Sequence, residues 1–349
     1  MPRIPGRAFG IDLQARLEAK HVVWLKRLLL IFLTVLFSST ITFVVIRTMP
    51  GDPVETLAME LQRNMGMGLE DAMIRARAML NFDPTVPVYI QYIRYVWGLM
   101  QGNFGVSMQF KTPVMQVVGD ALAWTLLVSS IALFFSFILG SLLGMYCAWK
   151  RKTFIDPVVT VYDAILGAVP SFVIAYLLVL LFSVKFGLLP ARGNYDASIP
   201  PGWTFAFAAS VLRHAVLPVL SWMLTTIGGW ALGMKAISVS VLGEDFITSA
   251  RARGLPDKRI VWVYVGRNAL LPQITHLAMS FGMMFAGSVL IENIFVYPGM
   301  GFFFGRAITA RDYPLMQGMF MIITVAVVIA NLFAEILYSV IDPRIREAS

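Results

Sequence analysis

Long apolar runs alternate with short polar segments along most of this chain. A helix needs about 20 apolar residues to cross the hydrocarbon core of a membrane. Six runs without a charged residue reach that length: Leu28–Ile46, Ala121–Trp149, Ala164–Val184, His214–Met234, Asn268–Ile291 and Tyr313–Ala334. The pattern predicts an all-α integral membrane protein with six transmembrane helices and a large outer loop between the first two.

The composition agrees with this prediction and gives an orientation. Of the 349 residues, 58% are hydrophobic and 14% are charged, whereas soluble domains carry about 25% charged residues. The net charge of +8 would favour a nucleic-acid partner in a soluble protein. Here it follows from the enrichment of Lys and Arg on the cytoplasmic side of membrane proteins. We therefore expect a multi-pass protein of the cell inner membrane with both termini in the cytoplasm and no nucleic-acid partner.

The predicted outer loop, residues 47–113, carries two helical patterns. Ala72 and Ala76, spaced by four within Glu70–Leu80, favour a short helix. Tyr89–Met100 carries an amphipathic stripe of large apolar side chains. We expect that stripe to lie on the membrane surface or to pack over the spans.

A short polar and basic segment separates the fourth and fifth apolar runs. Gly243–Asp245 offers a helix start with acidic side chains at the positive end of the helix dipole. Gly254 offers the left-handed residue that ends a helix, and Pro256 prevents its continuation. Arg251 and Arg253 fall in the last turn, where the dipole favours cations. The pattern predicts a short helix held between two spans and suited to docking on a partner.

Two motifs in this region resemble the peptide/nickel branch of the ABC-importer permease family. They are Thr248-Ser-Ala-Arg-Ala-Arg-Gly254 and Arg267-Asn-Ala-Leu-Leu-Pro272. Other segments are similar to the family in the same order, among them Pro50-Gly-Asp-Pro53, Gly187-Leu-Leu-Pro190, Pro298-Gly-Met-Gly301 and Asp342-Pro-Arg344. The chain departs from the family pattern at Asn103, Ala123-Trp124 and Glu335, and in a longer N-terminal extension. These departures concern substrate detail rather than class.

The resemblance implies the type I fold of ABC-importer permeases, with a cytoplasmic N-terminal segment 1–27 and a permease domain 28–349. Within that domain it implies the outer loop 47–113 and a cytoplasmic ATPase-docking loop 235–267. It also implies a translocation pathway for oligopeptides or dipeptides, shared with a homologous second permease subunit. Two cytoplasmic ATPase subunits and an extracellular or periplasmic solute-binding protein would complete the complex. The residues expected to couple to the ATPases are Glu244, Asp245, Phe246, Thr248, Ala250, Arg251, Arg253, Gly254 and Leu255.

The sequence contains no Gly-x-x-x-x-Gly-Lys-Ser/Thr, so this chain is not expected to bind nucleotide phosphates in a P-loop. We expect it to be a transport subunit without an ATPase site, cofactor or metal of its own. ATP and Mg²⁺ would bind to the partner ATPase subunits.

A few polar or helix-breaking residues within the apolar runs are candidates for the translocation pathway. Pro170 and Ser171 break the third run and free backbone groups that a neighbour or a water-filled cavity must satisfy. Glu292 and Asn293 end the fifth run and are candidates for an outer gate. Asp163 has two open interpretations: its side chain reaches the cytoplasmic interface of the membrane, or it lines the translocation pathway.

Three alternatives remain on the sequence alone. The same machinery would also suit oligosaccharides or nickel chelates as solutes. An ion-coupled secondary transporter would usually need a relay of acids or histidines inside the membrane, and the runs show no such set. A membrane-embedded hydrolase would need catalytic side chains meeting within the bilayer, for which the runs offer too few polar groups.

Overall fold

The computed structural model describes residues 8–48, 53–80, 86–150, 153–284 and 289–341. These residues are helical apart from the connections, the longest of which is 186–204, and one isolated β-bridge between Val106 and Pro113. The α-helices are α1 Ala8–Thr48, α2 Pro53–Met65, α3 Leu69–Leu80, α4 Val88–Met100, α5 Val114–Trp149, α6 Ile155–Tyr162, α7 Ser171–Leu178, α8 Phe205–Leu242, α9 Asp245–Ala252, α10 Asp257–Arg259, α11 Arg267–Met284, α12 Val289–Ile294, α13 Met300–Ala310 and α14 Tyr313–Ile341. Three π-helical stretches accompany them: Asp163–Gly167, Val179–Lys185 and Ile260–Gly266.

Within the described residues, four helices are long and apolar enough to cross a membrane. Their spanning parts are Leu25–Val45, Val114–Trp149, Phe205–Leu242 and Tyr313–Ala334. A fifth candidate consists of Ile155–Gly167 and Ser171–Lys185, which meet at an angle of 92°. The break predicted at Pro170 is therefore confirmed.

The predicted fifth span, Asn268–Ile291, corresponds to α11 and α12. Residues 285–288 between these two helices lie outside the described part of the chain. The six-span count and the outer loop as a topological unit therefore stay predictions.

Helices α5 and α8 pack closely along glycines of α5. A Cβ atom added at Gly144 would lie 2.9 Å from the Lys235 backbone nitrogen and 2.9 Å from Met234 Cβ. One added at Gly140 would lie 2.8 Å from the carbonyl oxygen of Ile227. Real Cβ atoms do not approach so closely, so only glycine permits this helix contact.

The segment predicted as the outer loop contains three short helices, α2, α3 and α4. Helices α2 and α3 pack face to face, and Ala72 and Ala76 are fully buried between them, which confirms the predicted short helix. Helix α4 buries Leu99 but exposes the apolar stripe of Tyr89, Ile93, Trp97 and Met100. Residues 49–52 and 81–85, including most of the Pro50–Pro53 motif, lie outside the described part.

Near the N-terminus, α1 runs without interruption from Ala8 to Thr48. The predicted division at residue 27 is therefore not a helix boundary. At the other end, the Asp342–Arg344 motif lies outside the described residues.

Candidate functional site

The predicted docking helix is present as α9, between α8 and α10. Its N-cap is Glu244 in extended conformation, and Asp245 stands in its first turn. Both acidic side chains lie at the positive end of the helix dipole, as the sequence predicts. Helix α9 is therefore a separate two-turn helix that begins where the charge pattern indicated.

The end of α9 is a Schellman motif. Gly254 has φ +69°, the left-handed conformation that glycine adopts at low cost. Its N–H donates to the Arg251 carbonyl at 2.9 Å, and the Leu255 N–H donates to the Ala250 carbonyl at 3.2 Å. This bond pattern ends the helix and reverses the direction of the chain before α10.

One side of α9 is anchored to the rest of the chain. Ile247 and Ala250 are buried in a cluster with Ile260 and Val265 of the next helical segment. Leu255 is half-buried in the same cluster. Ala250 and Leu255, both expected to couple to the ATPases, thus pack at least partly against this chain.

The other side of α9 faces outward. Exposed side chains there comprise Glu244, Asp245, Phe246, Thr248, Arg251 and Arg253. Phe246 is a large apolar side chain with 39% of its surface exposed. The Arg251 guanidinium lies 5.7 Å from the centroid of the Trp149 ring, a cation–π distance. Because Trp149 ends α5, this contact links α9 to the end of the second predicted span.

A cavity of about 480 Å³ lies deeper in the bundle. Its walls come from α5, from α11, from one face of α8 and from the π-helical stretch Asp163–Gly167. The lining residues are Ser129, Leu133, Asp163, Gly167, Trp222, Thr225, Thr226, Gly229, Trp230, His276, Ser280 and Met284. Its volume falls within the range of roughly 300–1,000 Å³ that is typical of small-molecule sites.

The four residues predicted for the pathway are absent from this lining. Pro170 and Ser171 form the bend that follows the cavity-lining Gly167. The Asn293 side-chain amide donates to the Val289 carbonyl at 2.6 Å, within its own helix.

Glu292 holds three elements together. Its carboxylate accepts hydrogen bonds from the Thr125 hydroxyl at 2.8 Å and from the Phe302 N–H at 3.0 Å. The Met300 N–H donates to Thr125 Oγ1 at 2.7 Å. Glu292 is buried, with 6% of its surface exposed. The carboxylate thus caps the N-terminus of α13 and ties it to α5, a structural position rather than a place in the cavity wall.

The connection that leads into the start of α8 is held by hydrogen bonds, at the other end of α8 from α9. The Gly193 N–H donates to the Phe295 carbonyl at 2.8 Å. The Asp196 carboxylate accepts two hydrogen bonds from Ser198, one from its backbone N–H at 2.9 Å and one from its side-chain hydroxyl at 2.8 Å. These hydrogen bonds lower the pKa of Asp196 below its ordinary value, so this turn keeps a negative charge at neutral pH.

Sequence reasoning missed most of the cavity. Five lining residues of α8, at positions 222, 225, 226, 229 and 230, recur at helical spacing on one face. A stripe of hydroxyls and indoles along an otherwise apolar span was the available signal. The opposing walls depend on tertiary packing that no local pattern reveals.

Apolar helices of spanning length, a short helix with one exposed side and a cavity among the long helices indicate a multi-pass membrane protein. Residues 140–347 match the family described as "Binding-protein-dependent transport system inner membrane component". The chain is 33% identical to the di/tripeptide transport system permease protein of Pseudomonas aeruginosa, over 92% of this chain and 97% of the relative. It is 30% identical to the dipeptide transport system permease protein of Escherichia coli, over 92% of this chain and 98% of the relative.

The comparison of structures finds an inward-facing MetNI methionine ABC transporter. The TM-score is 0.48 at 13% identity, over 65% of this chain and 97% of that chain.

The chain belongs to the family of inner membrane components of binding-protein-dependent transport systems. It is a permease subunit of such a system, and the resemblance seen in its motifs is confirmed.

Proposed function

We propose that this chain forms half of the translocation pathway for dipeptides or oligopeptides in an ATP-driven importer. A homologous second permease forms the other half, two cytoplasmic ATPase subunits bind ATP and Mg²⁺, and a solute-binding protein delivers the peptide. The observation that carries the solute class is the identity to peptide permeases along almost the whole chain. The match to a family of binding-protein-dependent transport components supports the subunit organisation.

Helix α9 is the proposed contact with an ATPase subunit. Phe246 is the apolar anchor, and Glu244, Asp245, Thr248, Arg251 and Arg253 supply polar contacts around it. Gly254 sets the turn, while Ala250 and Leu255 act through packing of α9 on its own chain. Because the buried side of α9 packs on the stretch leading into α11, a displacement of α9 carries the following helix with it.

The proposed topology has six spans and both termini in the cytoplasm. Residues 1–27 form the N-terminal segment and residues 28–349 the permease domain, with the docking loop 235–267 inside. The outer loop 47–113 and the segment Leu188–Trp203 form the platform for the binding protein. The translocation pathway is shaped by the bend at Pro170 and Ser171 and by the capped helix that follows Glu292 and Asn293. These four residues act by positioning helices rather than by lining the cavity.

The test purifies the complex through a tag on this chain, with the binding protein retained or added back. ATP hydrolysis is recorded while di- to pentapeptides, short oligosaccharides and nickel chelates are titrated. Stimulation by peptides supports the proposal, and stimulation only by oligosaccharides or nickel chelates replaces its solute class. Solute uptake that follows an ion gradient and needs no ATPase subunit would overturn the ATP-driven mechanism and favour a secondary transporter.

A further inference from the structure

The cavity between α5, α8, α11 and the stretch Asp163–Gly167 contains a single carboxylate, that of Asp163. We propose that this cavity contacts the solute during translocation, and that Asp163 pairs with the ammonium group of a peptide. This inference rests on the proposed function and deepens it, because it assigns a specificity-determining residue to the permease itself. The second permease subunit would cover the open side of the cavity.

Asp163 lacks the ion pair that its neighbour along the chain has. Asp156, two helical turns earlier, forms a salt bridge with Lys235 of α8. For Asp163, no Lys or Arg among the described residues lies within the 4.0 Å of an ion pair. Charged side chains within membrane spans are costly and are retained where they pair or act on a transported group. Asp156 therefore has a structural explanation within the chain, and Asp163 does not.

The fold makes room for this carboxylate. A Cβ atom added at Gly228 of α8 would lie 2.6 Å from Asp163 Cβ and 2.8 Å from its carboxyl carbon. One added at Gly167 would lie 3.0 Å from Asp163 Oδ1. Glycines on two sides thus allow the acid to lie directly against α8, and Asp163 opens a π-helical stretch, a distortion frequent at functional sites.

The hydroxyl groups of the cavity present acceptors to a ligand. The Thr225 hydroxyl donates to the Trp222 carbonyl at 2.9 Å. The Thr226 hydroxyl donates to the same carbonyl at 3.0 Å and lies 2.8 Å from the Ser136 hydroxyl, so one of its two lone pairs is already used. Ser280 donates to the His276 carbonyl at 2.8 Å. A hydroxyl has one hydrogen and two lone pairs, so what remains for a ligand is acceptor capacity. Together with a carboxylate, this lining complements a ligand rich in N–H donors.

Two indole rings line the cavity: Trp222 is half-buried, and Trp230 is buried with 7% of its surface exposed. Trp230 is held edge-to-face by Phe137, with ring centroids 5.4 Å apart, and by His276 at 4.8 Å. Trp222 lines the same cavity. Aromatic faces attract cations, so the rings and the carboxylate favour the same ligand. An ammonium next to peptide N–H groups fits these features better than a sugar, which carries no charge.

Thiol chemistry tests the charge of the cavity directly. Gly229 lines the cavity, and a Cβ atom there meets nothing within 4 Å, so Gly229→Cys places a thiol in open space. The native Cys147 is fully buried. In the purified complex, we expect Gly229→Cys to react several-fold faster with a cationic than with an anionic methanethiosulfonate reagent. Adding Asp163→Asn should abolish that preference. The matched control Gly119→Cys, also in open space but outside the cavity, should show a preference that Asp163→Asn leaves unchanged.

Uptake tests the role in transport. Asp163→Asn should lower ATP-dependent uptake of a dipeptide about tenfold or more, the effect of losing one charge-assisted contact. Asp163→Glu, which keeps the charge, should recover part of the uptake. Unchanged uptake by Asp163→Asn, or an unchanged reagent preference at position 229, would overturn the inference. If the unsubstituted complex takes up no peptide at all, the proposed function fails instead, and the reagent preference still reports on the cavity.

Discussion

Substitutions at Gly254 test whether the turn after α9 transmits ATPase binding to the spans. Gly254 has φ +69°, and a Cβ atom there would meet nothing within 4 Å. The cost of a side chain is therefore conformational rather than steric, about 1–2 kcal/mol for a residue held in the left-handed region. A penalty of that size changes a two-state population by a factor of roughly 5–30.

A variant can avoid this penalty only if residue 254 leaves the left-handed conformation. The hydrogen bond from the Leu255 N–H to the Ala250 carbonyl is then lost, and α9 is no longer held in one position. We expect the loss of solute-stimulated ATP hydrolysis to be smallest for Gly254→Asn, larger for Gly254→Ala and largest for Gly254→Val. The loss should reach about 5–30-fold for alanine and more for valine. Asn tolerates the left-handed region better than other side chains. Assembly with the ATPase subunits is followed by co-purification.

The matched control is Gly119→Ala on α5, where a Cβ atom also meets open space and φ is not positive. It should leave stimulated hydrolysis unchanged. If Gly254→Val couples ATP hydrolysis to solute as well as the parent chain does, the turn is not part of the mechanical link.

Three further predictions concern stability and topology. Glu292→Ala strands the buried Thr125 hydroxyl and the half-buried Phe302 N–H, at about 1–3 kcal/mol for a buried donor. It should lower Tm in detergent more than Glu292→Gln does, and an equal Tm for Glu292→Ala and the parent would contradict the capping role. Gly144→Leu should destabilise the fold by roughly 1–3 kcal/mol or more through overpacking, which lowers Tm. The control Gly119→Leu should leave Tm unchanged. A parental Tm for Gly144→Leu would refute the close contact between α5 and α8. The thiol of Thr248→Cys should react with a membrane-impermeant reagent only from the cytoplasmic side. The thiol of Ser198→Cys should react only from the outer side, and the reverse pattern would contradict the orientation.

Local chemistry made α9 predictable from sequence. Gly254 and Pro256 mark a helix end on their own, and acidic residues mark its start. Which side of α9 is buried could not be predicted, because Ile247 packs on Ile260 and Val265, residues of a later segment. An eight-residue helix has too few turns for its periodicity to show this.

Glu292 shows that the role of an acidic residue in an apolar run cannot be predicted from the sequence alone. As a charge at the end of a predicted span it resembles a gate residue, and the sequence does not reveal the donors that hold it. Those donors, the Thr125 hydroxyl and the Phe302 N–H, come from α5 and from the start of α13. Asp163 shows the converse, because its lack of a partner within the described residues becomes visible only once its surroundings are known.

Peptide uptake into proteoliposomes tests the central claim most directly. The complex of this chain with its second permease and ATPase subunits is reconstituted, and a labelled dipeptide is supplied with the binding protein. The account predicts accumulation that requires ATP, the binding protein and this chain together. Accumulation without ATP, or none with any peptide while another solute is taken up, would contradict it.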